Sequence, residues 1–95
     1  MIMIYTTVHH PDVEECLAWF EIRDDKIYPA AKHPDGAGEA PWFEIRGNKI
    51  YSTEHYPYGK SGVQLFEIRL DSIYTTNFHP DGANNFPWFE IREIS

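Results

Sequence analysis

Residues 42–53 read Trp42-Phe43-Glu44-Ile45-Arg46-Gly47-Asn48-Lys49-Ile50-Tyr51-Ser52-Thr53. Two short segments rich in aromatic and β-branched residues flank Gly47-Asn48, and neither has a helical period. A two-residue loop at Gly-Asn makes this stretch a hairpin, because Gly tolerates the positive φ that tight hairpin turns need. The loop sets the register: Arg46 opposite Lys49, Ile45 opposite Ile50, Glu44 opposite Tyr51, Phe43 opposite Ser52. Opposed residues share a face of the ribbon. One face therefore carries Phe and two Ile, and the other carries Trp, Tyr, Glu, Arg and Lys.

The same stretch recurs on both sides. Phe-Glu-Ile-Arg begins at Phe20, Phe43, Phe66 and Phe89, and Ile-Tyr at Ile4, Ile27, Ile50 and Ile73, each series stepping by 23 residues without insertion. A fixed period of this length is the mark of a repeat architecture. His-Pro-Asp-Gly, at His33 and again at His79, reads as a tight turn in which Pro sets φ and Gly takes a left-handed conformation. The first repeat keeps His10-Pro11-Asp12. The third has Tyr56-Pro57-Tyr58-Gly59 there, and Leu65 where the others have Trp19, Trp42 and Trp88. At the hairpin tips Asp24-Asp25 and Leu70-Asp71 suit a two-residue loop less well than Gly47-Asn48, leaving a four-residue type I loop as the alternative.

These observations give an all-β chain of four tandem 23-residue β-hairpin repeats, 4–26, 27–49, 50–72 and 73–95, forming a single domain over residues 1–95. The expected core is the four Ile that precede Tyr, the four Phe, and Ile22, Ile45, Ile68 and Ile91. The chain starts on the Ile-Tyr half of a hairpin and ends on the Phe-Glu-Ile-Arg half, so Ile4-Tyr5 can pair with residues 89–92. That favours closure into a pseudo-fourfold ring, either a small eight-stranded barrel or a hairpin rosette, which leaves few exposed edges. An open solenoid would place atypical capping repeats at its ends; here the odd repeat is the third. The layout is similar in kind to small propeller-like and lectin modules, a likeness of architecture.

Composition narrows the function classes. A net charge of −7 opposes binding to nucleic acid, and the first repeat concentrates the acids, with six against two bases. Cys16 is the only cysteine, so no intramolecular disulfide forms. Neither a leader pattern nor a long apolar run is present, which makes a cytoplasmic protein without membrane contact the expectation. No Gly-x-Ser-x-Gly, phosphate-binding Gly-rich loop or His-Glu-x-x-His occurs, and the acids beside Cys16 would raise its pKa. A non-enzymatic protein without a cofactor is expected.

Three sets of repeated side chains carry candidate chemistry. Trp19, Trp42 and Trp88, with Tyr28 and Tyr51 on the same expected face and Asp12, Asp35 and Asp81 nearby, are what a carbohydrate or other small polar ligand requires. Ring faces stack on the ligand and carboxylates take its hydroxyls. This gives a lectin-like binding module with up to three equivalent sites; the competing account is that the loops bury the Trp residues as an outer core. His10, His33 and His79 could hold a metal if they cluster on the axis, or could simply pack before the turn proline. Glu21, Glu44, Glu67 and Glu90 with their Arg partners two residues on are expected to stitch neighbouring hairpins. The alternative function is a structural or protein-interaction role, with apolar Met1, Ile2, Met3 and Ile94 continuing strand pairing between subunits.

Overall fold

The Gly47-Asn48 hairpin forms in the expected register. In the computed structural model, which describes residues 1–11, 15–60, 62–83 and 85–94, Arg46 faces Lys49, Ile45 faces Ile50, Glu44 faces Tyr51 and Phe43 faces Ser52. The Asp24-Asp25 and Leu70-Asp71 tips close the same way, at Arg23↔Lys26 and Arg69↔Ser72, so all three loops have two residues and none is the longer type I form. Each needs a left-handed residue at its first central position: φ is 50° at Asp24, 64° at Gly47 and 56° at Leu70. Asp25 is left-handed as well, at 64°.

Eight strands result: β1 Ile2–Thr6, β2 Ala18–Arg23, β3 Lys26–Pro29, β4 Phe43–Arg46, β5 Lys49–Ser52, β6 Phe66–Arg69, β7 Ser72–Thr75 and β8 Phe89–Glu93. Every neighbouring pair is antiparallel, and the order β1 to β8 closes into a barrel. No helix occurs among the described residues, and none is long and apolar enough to cross a membrane. Closure is made by the chain's own first and last strands, with Ile4 opposite Ile91 and Tyr5 opposite Glu90. Met1 and Ile94 exchange backbone hydrogen bonds, and Ile2 and Met3 lie between β8 and β2, so these apolar residues pair within the chain.

Side chains sort by strand alternation. Ile4, Ile27, Ile50 and Ile73 are 1–2% exposed, and Phe20, Phe43, Phe66 and Phe89 are also buried. Ile22, Ile45, Ile68 and Ile91 are inside but only partly buried against that core. Ile22, Ile45 and Ile68 lie next to two-residue tips, which are too short to fold over that end of the barrel, and Ile91 lies there beside the chain ends. The four Phe rings form a closed square, each edge-on to the next, with centroids 5.8–5.9 Å apart on all four sides. Edge-to-face packing suits the ring quadrupole and adds to the burial gain.

The outer face repeats as well. Arg23, Arg46, Arg69 and Arg92 lie over Tyr28, Tyr51, Tyr74 and Tyr5 at 4.2–4.7 Å, each joining the two strands of one hairpin. The Glu–Arg pairs run along a single strand, as in Glu21–Arg23 at 3.3 Å and Glu90–Arg92 at 2.9 Å, and do not stitch neighbouring hairpins as expected. The lysines do that: Lys26 reaches Glu44 at 3.0 Å and Lys49 reaches Glu67 at 3.5 Å across the seams. Residues two apart on a strand are already neighbours on its face, whereas Lys26 stands directly opposite Glu44 in the β3–β4 ladder.

Candidate functional site

The site is built by the turns at the long-loop end. Gly36, Gly59 and Gly82 have φ of 79°, 95° and 77°, and their N–H groups donate to the carbonyls of His33, Tyr56 and His79, closing one turn each. The Asp35 N–H donates to Nδ1 of His33 and the Asp81 N–H to Nδ1 of His79, both at 3.1 Å. A nitrogen that accepts is unprotonated, so the neutral rings carry their proton on Nε2. Burial lowers the pKa of both histidines, opposed by the weaker pull of Asp35 and Asp81. Ser52 and Thr75 hydroxyls, buried at the end of β5 and β7, donate to the Gly59 and Gly82 carbonyls and pin the turns down.

The ring at this position of each repeat packs against the Phe of the preceding repeat. His10 meets Phe89, His33 meets Phe20, Tyr56 meets Phe43 and His79 meets Phe66, with centroids 4.8–5.2 Å apart. The Trp residues join this layer. Trp19 touches His10 and His33, Trp42 touches His33 and Tyr56, and Trp88 touches His79 and His10. A circle of alternating rings results, interrupted at Leu65. The sequence expectation put Trp on the same face as Tyr28 and Tyr51. Instead Trp is inside and those Tyr are outside, each under an arginine. At Trp19 the cause is a bulge, and Trp42 and Trp88 lie just outside their strands, where alternation no longer sets the side. Opposite β1 the register jumps from Ile4↔Phe20 to Tyr5↔Ala18 and skips Trp19, and β4, β6 and β8 begin only at Phe. An extra residue in the ladder re-aims the side chain it carries.

The rings surround a cavity of about 480 Å³ on the barrel axis. Trp19, Trp42, Trp88, His10, His33, His79, Asp35 and Asp81 all line it; Tyr28 and Tyr51 do not. Asp12 lies outside the described residues. In chain comparisons with family models, curated proteins and solved structures, nothing matched. What the cavity can do must therefore come from its own chemistry. Its walls are Phe and Ile below and the Trp–His circle above, with Asp35 and Tyr58 exposed at the mouth. Trp19 and Trp88 are 7% and 8% exposed, and their indole Nε1–H groups have no hydrogen-bond partner among the described residues. A buried donor left unpaired costs ~1–3 kcal/mol.

The repeated histidines enclose the axis, but a Trp ring stands between His10 and His33 and between His79 and His10. Among the described residues no group of three His, Cys, Asp or Glu side chains is placed to hold a metal ion. Cys16 is exposed and is not part of the lining. Reading the sequence for platforms on a second face missed Tyr56, Tyr58 and the Phe square as lining residues. The first two were visible in the repeat alignment, where Tyr56 takes the histidine position.

Proposed function

We propose that the chain is a non-enzymatic module that binds a small molecule in the axial cavity, at one central site in place of up to three peripheral ones. The observation that carries this reading is the convergence of three repeats' Trp and His rings on one cavity. A volume of about 480 Å³ is in the range of small-molecule pockets. Aromatic walls with a few polar groups are the usual lining of such sites. Carbohydrates and small neutral cyclic compounds are the ligands to try first. Because all three Trp line the cavity, their fluorescence reports occupancy directly. A binding ligand should shift the emission saturably and raise the melting temperature by mass action. A flat response to both classes, in emission and in melting, would overturn the reading. The structural or protein-interaction role would then stand first, supported by the exposed Leu70 and Met1.

A further inference from the structure

We infer that the chain pairs with a second copy of itself, end to end, through the hairpin-tip end of the barrel. This goes beyond the cavity reading and is independent of it, since the cavity opens among the long loops at the other end. The tips Asp24-Asp25, Gly47-Asn48 and Leu70-Asp71 mark three corners of the tip end, and Met1 with Ile94 marks the fourth, where β8 meets β1. Leu70 is 97% exposed, Met1 70% and Ile94 39%, and the two corners they occupy are neighbours in the ring. Ile22, Ile45, Ile68 and Ile91, at the same end, are only partly buried. An exposed apolar patch rimmed by polar residues marks an interaction surface. Charge favours a like chain at this end over the other. Residues 23–26, 46–49, 69–72 and 92–93 hold six bases against four acids, whereas the long-loop segments 7–17, 30–41, 53–64 and 76–87 hold seven acids against two bases. Two copies of this acidic chain therefore repel less tip to tip than loop to loop.

The corners also fit one another. A closed pair of identical chains meets across a two-fold axis, so each corner faces one corner of the other copy. An axis between the first two tips sets Asp24-Asp25 against Gly47-Asn48, and it also sets Leu70 against the chain-end corner. Asp24 and Asp25 are exposed and form no ion pair among the described residues. Gly47-Asn48 stands between Arg46 and Lys49, with no acid at the tip. Acid then meets base twice across the axis, and Leu70 meets Met1 and Ile94 twice. Every other two-fold axis of this end brings Asp24-Asp25 onto its own copy or onto an apolar corner, where the charges go unmatched. The pairing also accounts for Leu70, a left-handed tip residue from which the isolated barrel gains no packing.

Sedimentation velocity of the full chain, from low micromolar to millimolar concentration, tests this. A monomer should give way to a species of twice 11.1 kDa and to nothing larger, because an interface of this symmetry closes on itself. Leu70→Gly, which only relieves strain in the isolated barrel, should weaken the dimer about tenfold or more, since the apolar side chain is buried twice in each pair. Two tip exchanges test the orientation. Asp24→Gly with Asp25→Asn removes the acids from the first tip, and Gly47→Asp with Asn48→Asp places acids on the second, so each altered tip has a sequence the barrel already carries. Each variant alone should self-associate more weakly than wild type, as like tips then face each other. An equimolar mixture should recover the wild-type affinity, because each copy meets its complement. Circular dichroism checks that each variant folds, and if a tip variant does not, the concentration series and Leu70→Gly decide. A wild type that stays monomeric at millimolar concentration would overturn the pairing, as would open-ended assembly. A dimer untouched by Leu70→Gly would place the interface elsewhere, and a mixture that pairs no better than its components would rule out this axis.

Discussion

Leu70 occupies the first tip position of the β6–β7 hairpin with φ of 56°, and it is 97% exposed. A left-handed residue other than Gly costs ~1–2 kcal/mol, and Leu has no short polar group with which to bond its own backbone, as Asp24 has at the matching position. With nothing buried, the side chain offers no packing in return. Leu70→Gly should therefore stabilise the barrel by up to ~1 kcal/mol, once the greater unfolded-state freedom of Gly is set against the relief. In urea this would appear as a midpoint raised by several tenths of a molar with an unchanged slope. Gly47 already holds that position in the preceding hairpin. An unchanged or lower midpoint would mean that Leu70 makes a contact that its exposure hides.

The long-loop turns carry a pH dependence of definite sign. In the folded chain burial lowers the pKa of His33 and His79, and the accepting role of Nδ1 agrees with it, since a proton there would face the Asp35 or Asp81 N–H. The unfolded chain binds protons below about pH 6.5, before the folded one does. Stability is therefore full above that pH and is lost as pH falls below it. Glu44, held below its ordinary range first by Lys26 and then by Arg46, contributes only at lower pH, where carboxylates protonate. Urea midpoints at pH 7.5 and 5.5 should drop for the wild type. In the double variant His33→Asn, His79→Asn the drop should shrink, because Asn accepts the same N–H without titrating. An undiminished drop would place the acid sensitivity in other groups. Hairpin register was legible in the sequence because loop length and alternation act locally, as Arg46↔Lys49 shows. The side taken by Trp19 was not, since a bulge depends on how the β1 strand pairs, and that is set by closure. Likewise the half-exposure of Ile22 and Ile45 follows from their position at an end of the barrel, which alternation does not encode.

Closure joins these parts, and it places unusual weight on the chain ends. The β8–β1 ladder pairs five residues without a covalent turn, whereas the β3–β4, β5–β6 and β7–β8 seams pair two each. Ile4, 2% exposed, sits in this closing hairpin and lines the cavity. Deleting residues 1–5 should thus cost far more than trimming a loose tail. The loss of Ile4 alone is worth ~2–5 kcal/mol, out of the ~5–15 kcal/mol that stabilises a typical domain, and β2 and β8 would be left as open edges. Covalent order, by contrast, should matter little. Met1 and Ile94 are already hydrogen-bonded, so a short linker from residue 95 to residue 1 spans a gap that the fold has closed. Opening the chain between Gly47 and Asn48 then exchanges one two-residue tip for another and preserves every ladder. The permuted chain should show the wild-type circular dichroism spectrum and a urea midpoint within experimental reach of it, while the truncated chain should be largely unfolded. A permuted chain that fails to fold beside a truncated one that melts normally would mean that the β8–β1 pairing does not hold the barrel shut.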